Sequence, residues 1–237
     1  MKKRSIKTLL FDIEATNLNA NFGFILCIGY KWLDKKKVHI LSINDFPAYE
    51  RDKTSDKGLV KEFSRIYNSA QVVVGHYSTR FDTPYINARL LYHNLPPLGP
   101  VRHIDTWRIS RDKLRLNSNR LNTIGEFFEF PSKTPVHGPH WVRATAGNPR
   151  SLHYIEQHCI RDIEVLEATY LKLRGLIQNH PSQALITSVE NGCPTCGDTH
   201  LSPRGSLLSQ IGIAKRFRCP QGHWCHTPYK TIRGGLR

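Results

Sequence analysis

Four carboxylates and one imidazole are spaced for chemistry on a phosphate ester. Asp12 and Glu14 stand two apart in the run Leu9-Leu10-Phe11-Asp12-Ile13-Glu14. On a strand, residues i and i+2 face the same way, so both carboxylates reach one site. Asp82 follows the apolar stretch Val72–Gly75, and Asp162 lies one helical turn after His158. Carboxylates gathered together repel one another unless cations lie between them, and hard oxygen donors in that number suit Mg²⁺ or Mn²⁺. Two such ions about 3.5–4 Å apart stabilise the attacking and leaving oxygens of a phosphodiester displacement. Histidine is the side chain suited to take a proton at neutral pH, which gives His158 the attacking water as a partner. Each residue also has an ordinary use. Asp82 alone reads as the N-cap of a helix starting at Thr83, Asp12 as a strand end, and Asp162 as a partner for Arg161.

A second ligand set lies near the other end: Cys193-Pro194-Thr195-Cys196-Gly197, then Cys219-Pro220-Gln221-Gly222-His223-Trp224-Cys225. Cys-x-x-Cys followed by Gly is a turn that wraps zinc, and a second ligand pair after 22 intervening residues completes a tetrahedron of soft and borderline donors. Cys193, Cys196 and Cys219 supply three ligands. Gly222 stands where a second Cys-x-x-Cys would end, so spacing leaves the fourth open between His223 and Cys225. The remaining cysteines, Cys27 and Cys159, lie far from this cluster, and with no secretory signal the clustering points to metal rather than disulfides. A module this short needs such a staple to fold.

The chain has 237 residues, a net charge of +15 and a pI of about 9.8. That excess favours a polyanionic partner, because each cation placed on a phosphate releases counterions. Arg102, Arg108, Arg111, Lys113, Arg115 and Arg120 crowd one segment around Trp107. It reads either as a groove for a single strand, with Arg108, Arg111 and Arg115 on the backbone, or as a solvated helix face. Arg216 and Arg218 near the zinc ligands are further candidates for phosphate contacts. The basic start Met1–Arg4 precedes too short an apolar run for a signal peptide, and no run of 18 apolar residues exists to span a membrane. Oligomeric state is not legible.

These residues need elements to carry them. Lys7–Ile13, Phe22–Trp32 and Val38–Ile43 read as an antiparallel meander. Gly58–Asn68 reads as an amphipathic helix, Val72–Gly75 as a strand buried on both faces, and Thr83–His93 as a helix. Residues 94–150 are mixed, with a short helix at Leu121–Phe128 and a long loop at Pro131–Asn148 that holds His137, His140 and Trp141. Asn148-Pro149 starts a helix, as N-cap and first position. From Leu152 to Ile177 apolar residues recur at steps of three and four, predicting one long helix with a buried stripe. The division expected is 1–180 as an α/β domain, 181–190 as a linker and 191–237 as a zinc-binding module.

Three of these segments resemble, in order, the motifs of the DEDD exonuclease superfamily, the DnaQ-like branch of RNase H-like folds. Leu10-Phe11-Asp12-Ile13-Glu14-Ala15-Thr16 is similar to the first. Val72-Val73-Val74-Gly75-His76-Tyr77-Ser78-Thr79-Arg80-Phe81-Asp82 is similar to the second, and His158-Cys159-Ile160-Arg161-Asp162 to the third. Ile104-Asp105-Thr106 with Leu121-Asn122-Thr123-Ile124 resembles the connecting segment. The likeness covers about residues 5–178 and is nearest to phage-type exonucleases akin to those of family-B polymerases; the tail resembles the zinc ribbon many of them carry, and because Gly222-His223-Trp224 lines up with its second knuckle the resemblance prefers His223 to Cys225 as the fourth ligand.

The resemblance implies a mixed sheet flanked by helices and a 3′–5′ exonuclease acting on DNA or RNA, with a single-stranded 3′ end as substrate. Asp12, Glu14, Asp82 and Asp162 would bind two Mg²⁺ or Mn²⁺ ions, with His158 on the water and one Zn²⁺ in the tail. It also suggests a phage source and the host cytoplasm. Two positions depart from the pattern. His158 stands at the Tyr-x-x-x-Asp spacing of the tyrosine branch, one residue short of the histidine branch, and Tyr77 stands where the second motif usually has Asn. Two other readings use the same residues: a non-catalytic nucleic-acid-binding protein that kept the fold, and an RNase H-like endonuclease or recombinase that cuts internally.

Overall fold

The computed structural model describes residues 6–130, 137–177, 180–186, 189–210 and 212–231. They divide into two compact units: Lys7–Leu173, and the described residues from Arg174 onward with Ile6.

The first unit is a five-stranded mixed sheet flanked by helices, the class the motifs implied. Its strands are β1 (Thr8–Ala15), β2 (Ile25–Trp32), β3 (His39–Ser42), β4 (Val72–Gly75) and β5 (Arg102–Asp105), in the order β3-β2-β1-β4-β5. β2 runs antiparallel to β1 and β3, while β1, β4 and β5 are parallel. The helices are α1 (Ala48–Arg51), α2 (Lys57–Asn68), α3 (Asp82–Tyr92), α4 (Thr106–Lys113), α5 (Leu121–Phe127), α6 (Gly138–Thr145) and α7 (Pro149–Leu173).

β4 is buried along its whole length, as its unbroken apolar run required. α2 buries Leu59, Val60, Phe63, Ile66 and Tyr67, and its Phe63 and Tyr67 rings lie 5.4 and 5.8 Å from that of Phe11 on β1. Each such side chain taken fully from water contributes about 1.5–3 kcal/mol.

A buried ion pair fixes α3, which carries Asp82, to β2. Asp56, fully buried before α2, accepts from Arg89 Nε at 2.8 Å and Nη2 at 2.9 Å. It also meets His93 Nε2 at 2.6 Å and the Ile25 amide at 2.9 Å. A charge buried among that many donors holds the segments that meet on it in one arrangement.

The long helix α7 starts where the sequence predicted. The Ser151 amide donates to Asn148 Oδ1 at 3.0 Å, and Pro149 is the first helical residue. Its buried stripe is the predicted one up to Leu173. There the helix gives way to a single 3₁₀ turn, Arg174–Leu176, rather than running to Ile177. Glu167 meets Lys31 of β2 at 2.5 Å, and Glu156 accepts from Ser42 of β3 at 2.5 Å, tying the helix across the sheet.

Two parts of the stretch 94–150 differ from expectation. β5 opens on an exposed Arg102 and buries only Ile104 and Asp105, too short and too charged for an apolar pattern to mark it. The loop expected at Pro131–Asn148 contains α6, because Pro139 lies in the first turn, where a missing N–H costs nothing. Residues 131–136 of that loop lie outside the described residues.

The second unit contains α8 (Gln183–Ile186), β6 (Ser202–Ser209), β7 (Gly212–Arg218), β8 (Trp224–His226) and β9 (Lys230–Thr231), with β7 antiparallel to the other three strands. α8 falls within the expected linker. β6 has no buried residue, and among the described residues the buried side chains of this unit are chiefly Cys193, Cys219, Cys225, Ala184 and Ala214. So little apolar burial cannot offset chain entropy, which leaves the thiol cluster to hold the unit. No helix among the described residues is long and apolar enough to cross a membrane.

Candidate functional site

β4 pairs with β1 only from Thr8 to Leu10, so beyond that point the two parallel strands part and the C-terminal half of β1 opens to the loop after β4. Clefts at carboxyl strand ends where neighbouring connections diverge are where open α/β sheets bind ligands. Asp12 and Glu14 sit here, half-buried, and β1 runs on to Ala15, two residues past the expected end at Ile13, so that Glu14 too lies inside the strand. The register against β2 shifts just past Glu14, a bulge that turns the strand end.

α7 crosses the same face. Opposite Asp12 stands Gly29, where a Cβ would lie 2.7 Å from Cys159 Sγ and 3.1 Å from Ile163 Cγ1. The missing side chain lets the helix approach. His158 and Asp162 then face the strand with Nε2 and Oδ2 3.9 Å apart. Two overlapping groups result, each with ligand atoms within 4.8 Å of one another: Asp12, Glu14 and Cys159, and Glu14, His158 and Asp162. Glu14 belongs to both.

Cys159 was not expected among the acids. Its hydrogen bond with Cys27, its burial, and the charges of Asp12 and Glu14 raise its pKa well above a thiol's ordinary value. Cys159 Sγ is a weak donor to Asp12, 3.7 Å from its carbonyl oxygen and 3.9 Å from Oδ2. A cysteine in a helix stripe reads as core, and nothing in the sequence distinguishes this one.

Asp82 joins neither group. It is the first residue of α3 and makes no local cap; its Oδ1 instead accepts from the Ile13 amide at 3.1 Å, the amide between the two β1 acids. Burial, with Asp105 nearby, raises its pKa to about 7, against the lowering effect of the backbone donors. A carboxyl in that state needs a cation beside it to ionise fully at neutral pH.

Asp105, at the end of β5, organises the loop between β4 and α3. Its carboxylate caps α4 through the Trp107 and Arg108 amides, and it accepts from the amides of Tyr77 and Thr79 and from the Thr79 hydroxyl. These bonds hold Tyr77 at φ 62, left-handed for a residue with a side chain. Tyr77 is 40% exposed and meets the Trp107 ring edge-on at 4.9 Å; Arg111 lies 4.9 Å over the same indole. An Asp ahead of a polar helix start is a capping signal, and that signal would have found Asp105. Arg108, Arg111 and Arg115 are exposed, Arg111 also pairing with Asp112.

On the other flank, α6 sets the Trp141 ring edge-on to His158 at 5.7 Å, and His140 stacks on Tyr154 at 4.0 Å. Of the three residues the sequence left in a loop, Trp141 thus meets His158, while His140 and, at 6.2 Å, His137 meet Tyr154 one turn earlier on α7.

In the second unit, Cys193, Cys196, Cys219 and His223 hold their ligand atoms within 4.8 Å of one another. Cys196 Sγ to Cys219 Sγ is 3.7 Å, Cys219 Sγ to His223 Nδ1 is 3.5 Å, and Cys193 Sγ to His223 Nδ1 is 4.0 Å. Donors about 2.0–2.3 Å from one tetrahedral zinc stand about 3.5–3.8 Å apart, so the set fits. Gly197 and Gly222, at φ 78 and 82, close the two turns in a conformation that suits glycine. Burial opposes ionisation of Cys193, but the Cys196 and Thr195 amides prevail and lower its pKa, while burial and Cys193 push Cys196 up to about 12. A dication drawn into such a cluster would deprotonate its thiols. Burial and Arg174 hold His223 below its ordinary pKa, neutral as a ligand must be. Cys225 is outside the group; burial and the charges of Cys193 and Cys219 raise its thiol to about 11.

No curated protein matches the chain by sequence. Among solved structures it is similar to the family B DNA polymerase of the hyperthermophilic archaeon Pyrobaculum calidifontis, at TM-score 0.60 and 15% identity, which is a likeness of fold. The match covers 87% of this chain and 31% of the polymerase, so the chain spans about a third of that protein's length. The sequence model of the RNase_H superfamily matches residues 9–173, from β1 to the end of α7, and the chain belongs to that superfamily.

Proposed function

We propose that this protein is a divalent-metal-dependent nuclease that shortens single-stranded DNA or RNA from the 3′ end. The observation that carries the reading is the place of Glu14 in two ligand groups at once, one shared with Asp12 on β1 and one with His158 and Asp162 on α7. Asp12, Glu14, Asp82 and Asp162 would hold two Mg²⁺ or Mn²⁺ ions. Bound there, such ions lower the pKa of water and neutralise charge developing on the scissile phosphate.

His158 takes the proton from the attacking water. Asp162, 3.9 Å from its Nε2, stabilises the imidazolium that forms, and the edge of Trp141 limits the ring's rotation. The exposed Tyr77–Trp107–Arg111 surface offers rings for the terminal base and a guanidinium for a phosphate, with Arg108 and Arg115 extending the charge. The 3′ polarity rests on the resemblance of the three motifs. Zinc held by Cys193, Cys196, Cys219 and His223 would close the second unit, placing Arg216 and Arg218 for phosphate contacts.

The test uses 5′-labelled single strands of DNA and RNA with Mn²⁺, each with a free or a blocked 3′ end. The expected result is a ladder shortening from the free 3′ end and no product from the blocked strand. Internal fragments from the blocked strand would favour an endonuclease. Binding without cleavage of either polymer would favour a catalytically silent binding protein.

A further inference from the structure

The second unit carries an exposed face that the zinc ligands do not use. In the pairing of β7 with β8, Arg216 stands opposite His226 and Arg218 opposite Trp224. Side chains alternate along a strand, so these four share one side of the sheet while Phe217 and Cys225 take the other. All four are exposed, Trp224 by 53%. An indole left that open in so small a unit costs apolar hydration that burial elsewhere would remove.

Two guanidiniums flank it. Arg216 lies 4.8 Å and Arg218 5.6 Å from the Trp224 ring centre, and each is fixed at its base, Arg216 Nε on the Arg204 carbonyl and Arg218 Nε on that of Gly222. Beside the indole is a recess of about 310 Å³ lined by Leu207, Arg216, Trp224, Cys225 and His226. That volume is at the lower end of small-ligand pockets and admits a flat ring. His226 is braced by Tyr229, 5.4 Å away.

We infer that this face is a base-stacking site for single-stranded nucleic acid: one unpaired base enters the recess against Trp224 while Arg216 and Arg218 hold the flanking phosphates. The charge selects a polyanion, and the open indole beside a slot selects one whose bases are unstacked. A duplex offers the phosphates but not the ring. A general phosphate patch would have no use for the aromatic side, and a protein partner would not require paired guanidiniums on it. The inference takes its partner class from the proposed function but does not depend on the acidic site.

The experiment measures binding of the full chain, zinc loaded and without Mg²⁺ or Mn²⁺, to labelled oligothymidylate and oligouridylate. An abasic strand of equal length and a duplex serve as comparisons. Trp224→Ala should weaken binding to both base-bearing strands about five- to a hundredfold, and Trp224→Phe much less. The abasic strand should bind both proteins alike, and the dependence on salt should stay unchanged in Trp224→Ala but shallower by about one phosphate in Arg216→Gln. Zinc content of one per chain in each variant shows that the ligand cluster survives. Equal affinity of Trp224→Ala for oligothymidylate, or an equal loss on the abasic strand, overturns the inference, as does failure of the wild type to prefer single strands to duplex. Cleavage by the wild type in Mn²⁺ reports separately on the acidic site, so either reading can fail alone.

Discussion

Asp12, Glu14, His158 and Asp162 meet because a sheet and a 25-residue helix pack together, whereas Cys193, Cys196, Cys219 and His223 meet because two tight turns face each other. In the first unit the core does not involve the ligands: Phe11, Val73, Ile155 and Ile163 are fully buried among apolar neighbours. In the second there is little core, and the ligands themselves are among its few buried side chains. On the proposed reading, a metal would be an occupant of the first site and a structural member of the second.

The sharpest way to separate the two is Cys219→Ser. Structural zinc binding is worth about 10–16 kcal/mol in small modules, so this change should remove zinc and the β6–β9 sheet together. The first unit should keep its own unfolding transition. Zinc content and limited proteolysis read the outcome; loss of both units at once would show that they are not built independently.

Asp56→Ala makes the converse cut. It strands Arg89 and His93 beside a vacated carboxylate and should cost about 3–5 kcal/mol in urea unfolding, with zinc content unchanged. Gly29→Ala is milder. A methyl 2.7 Å from Cys159 Sγ must push α7 outward, at about 1–3 kcal/mol, and should lower nuclease activity more than it lowers stability, because α7 carries His158 and Asp162.

The smallest effect is a slope. Asp82 is raised from 3.8 to about 7 in the folded chain without metal. A group raised on folding stabilises below its unfolded pKa, and that contribution is lost as pH climbs through the folded value. Without added Mg²⁺ or Mn²⁺, melting temperatures should therefore fall between about pH 4 and pH 7. Asp82→Asn should flatten that fall, and Mn²⁺ should raise the wild type at pH 8 but not the variant.

The contrast also explains what could be read in advance. The cysteine turns are local, so their spacing marked Cys193, Cys196 and Cys219 as one candidate set, which the fold gathers with His223 and without Cys225. At the acidic site, β1, β4 and α7 were legible because each is long or apolar enough to show its period. Asp82 was harder: beside Thr83 it looks like a cap, and only the fold shows it reaching Ile13. α6 was hidden by Gly138-Pro139, which reads as a turn but opens a helix. Cys159 and Gly29 act through close approach to partners far along the chain, and such contacts leave no periodic trace.

The central claim is that the acids of β1 make a catalytic metal site on a fold that stands without it. The most direct measurement is the rate at which Asp12→Asn shortens a 5′-labelled single strand at saturating Mn²⁺, beside its zinc content and melting temperature. The account predicts a fall of at least about a hundredfold, the scale of several kcal/mol of lost charge stabilisation, with zinc and melting unchanged. A rate equal to that of the wild type would contradict it.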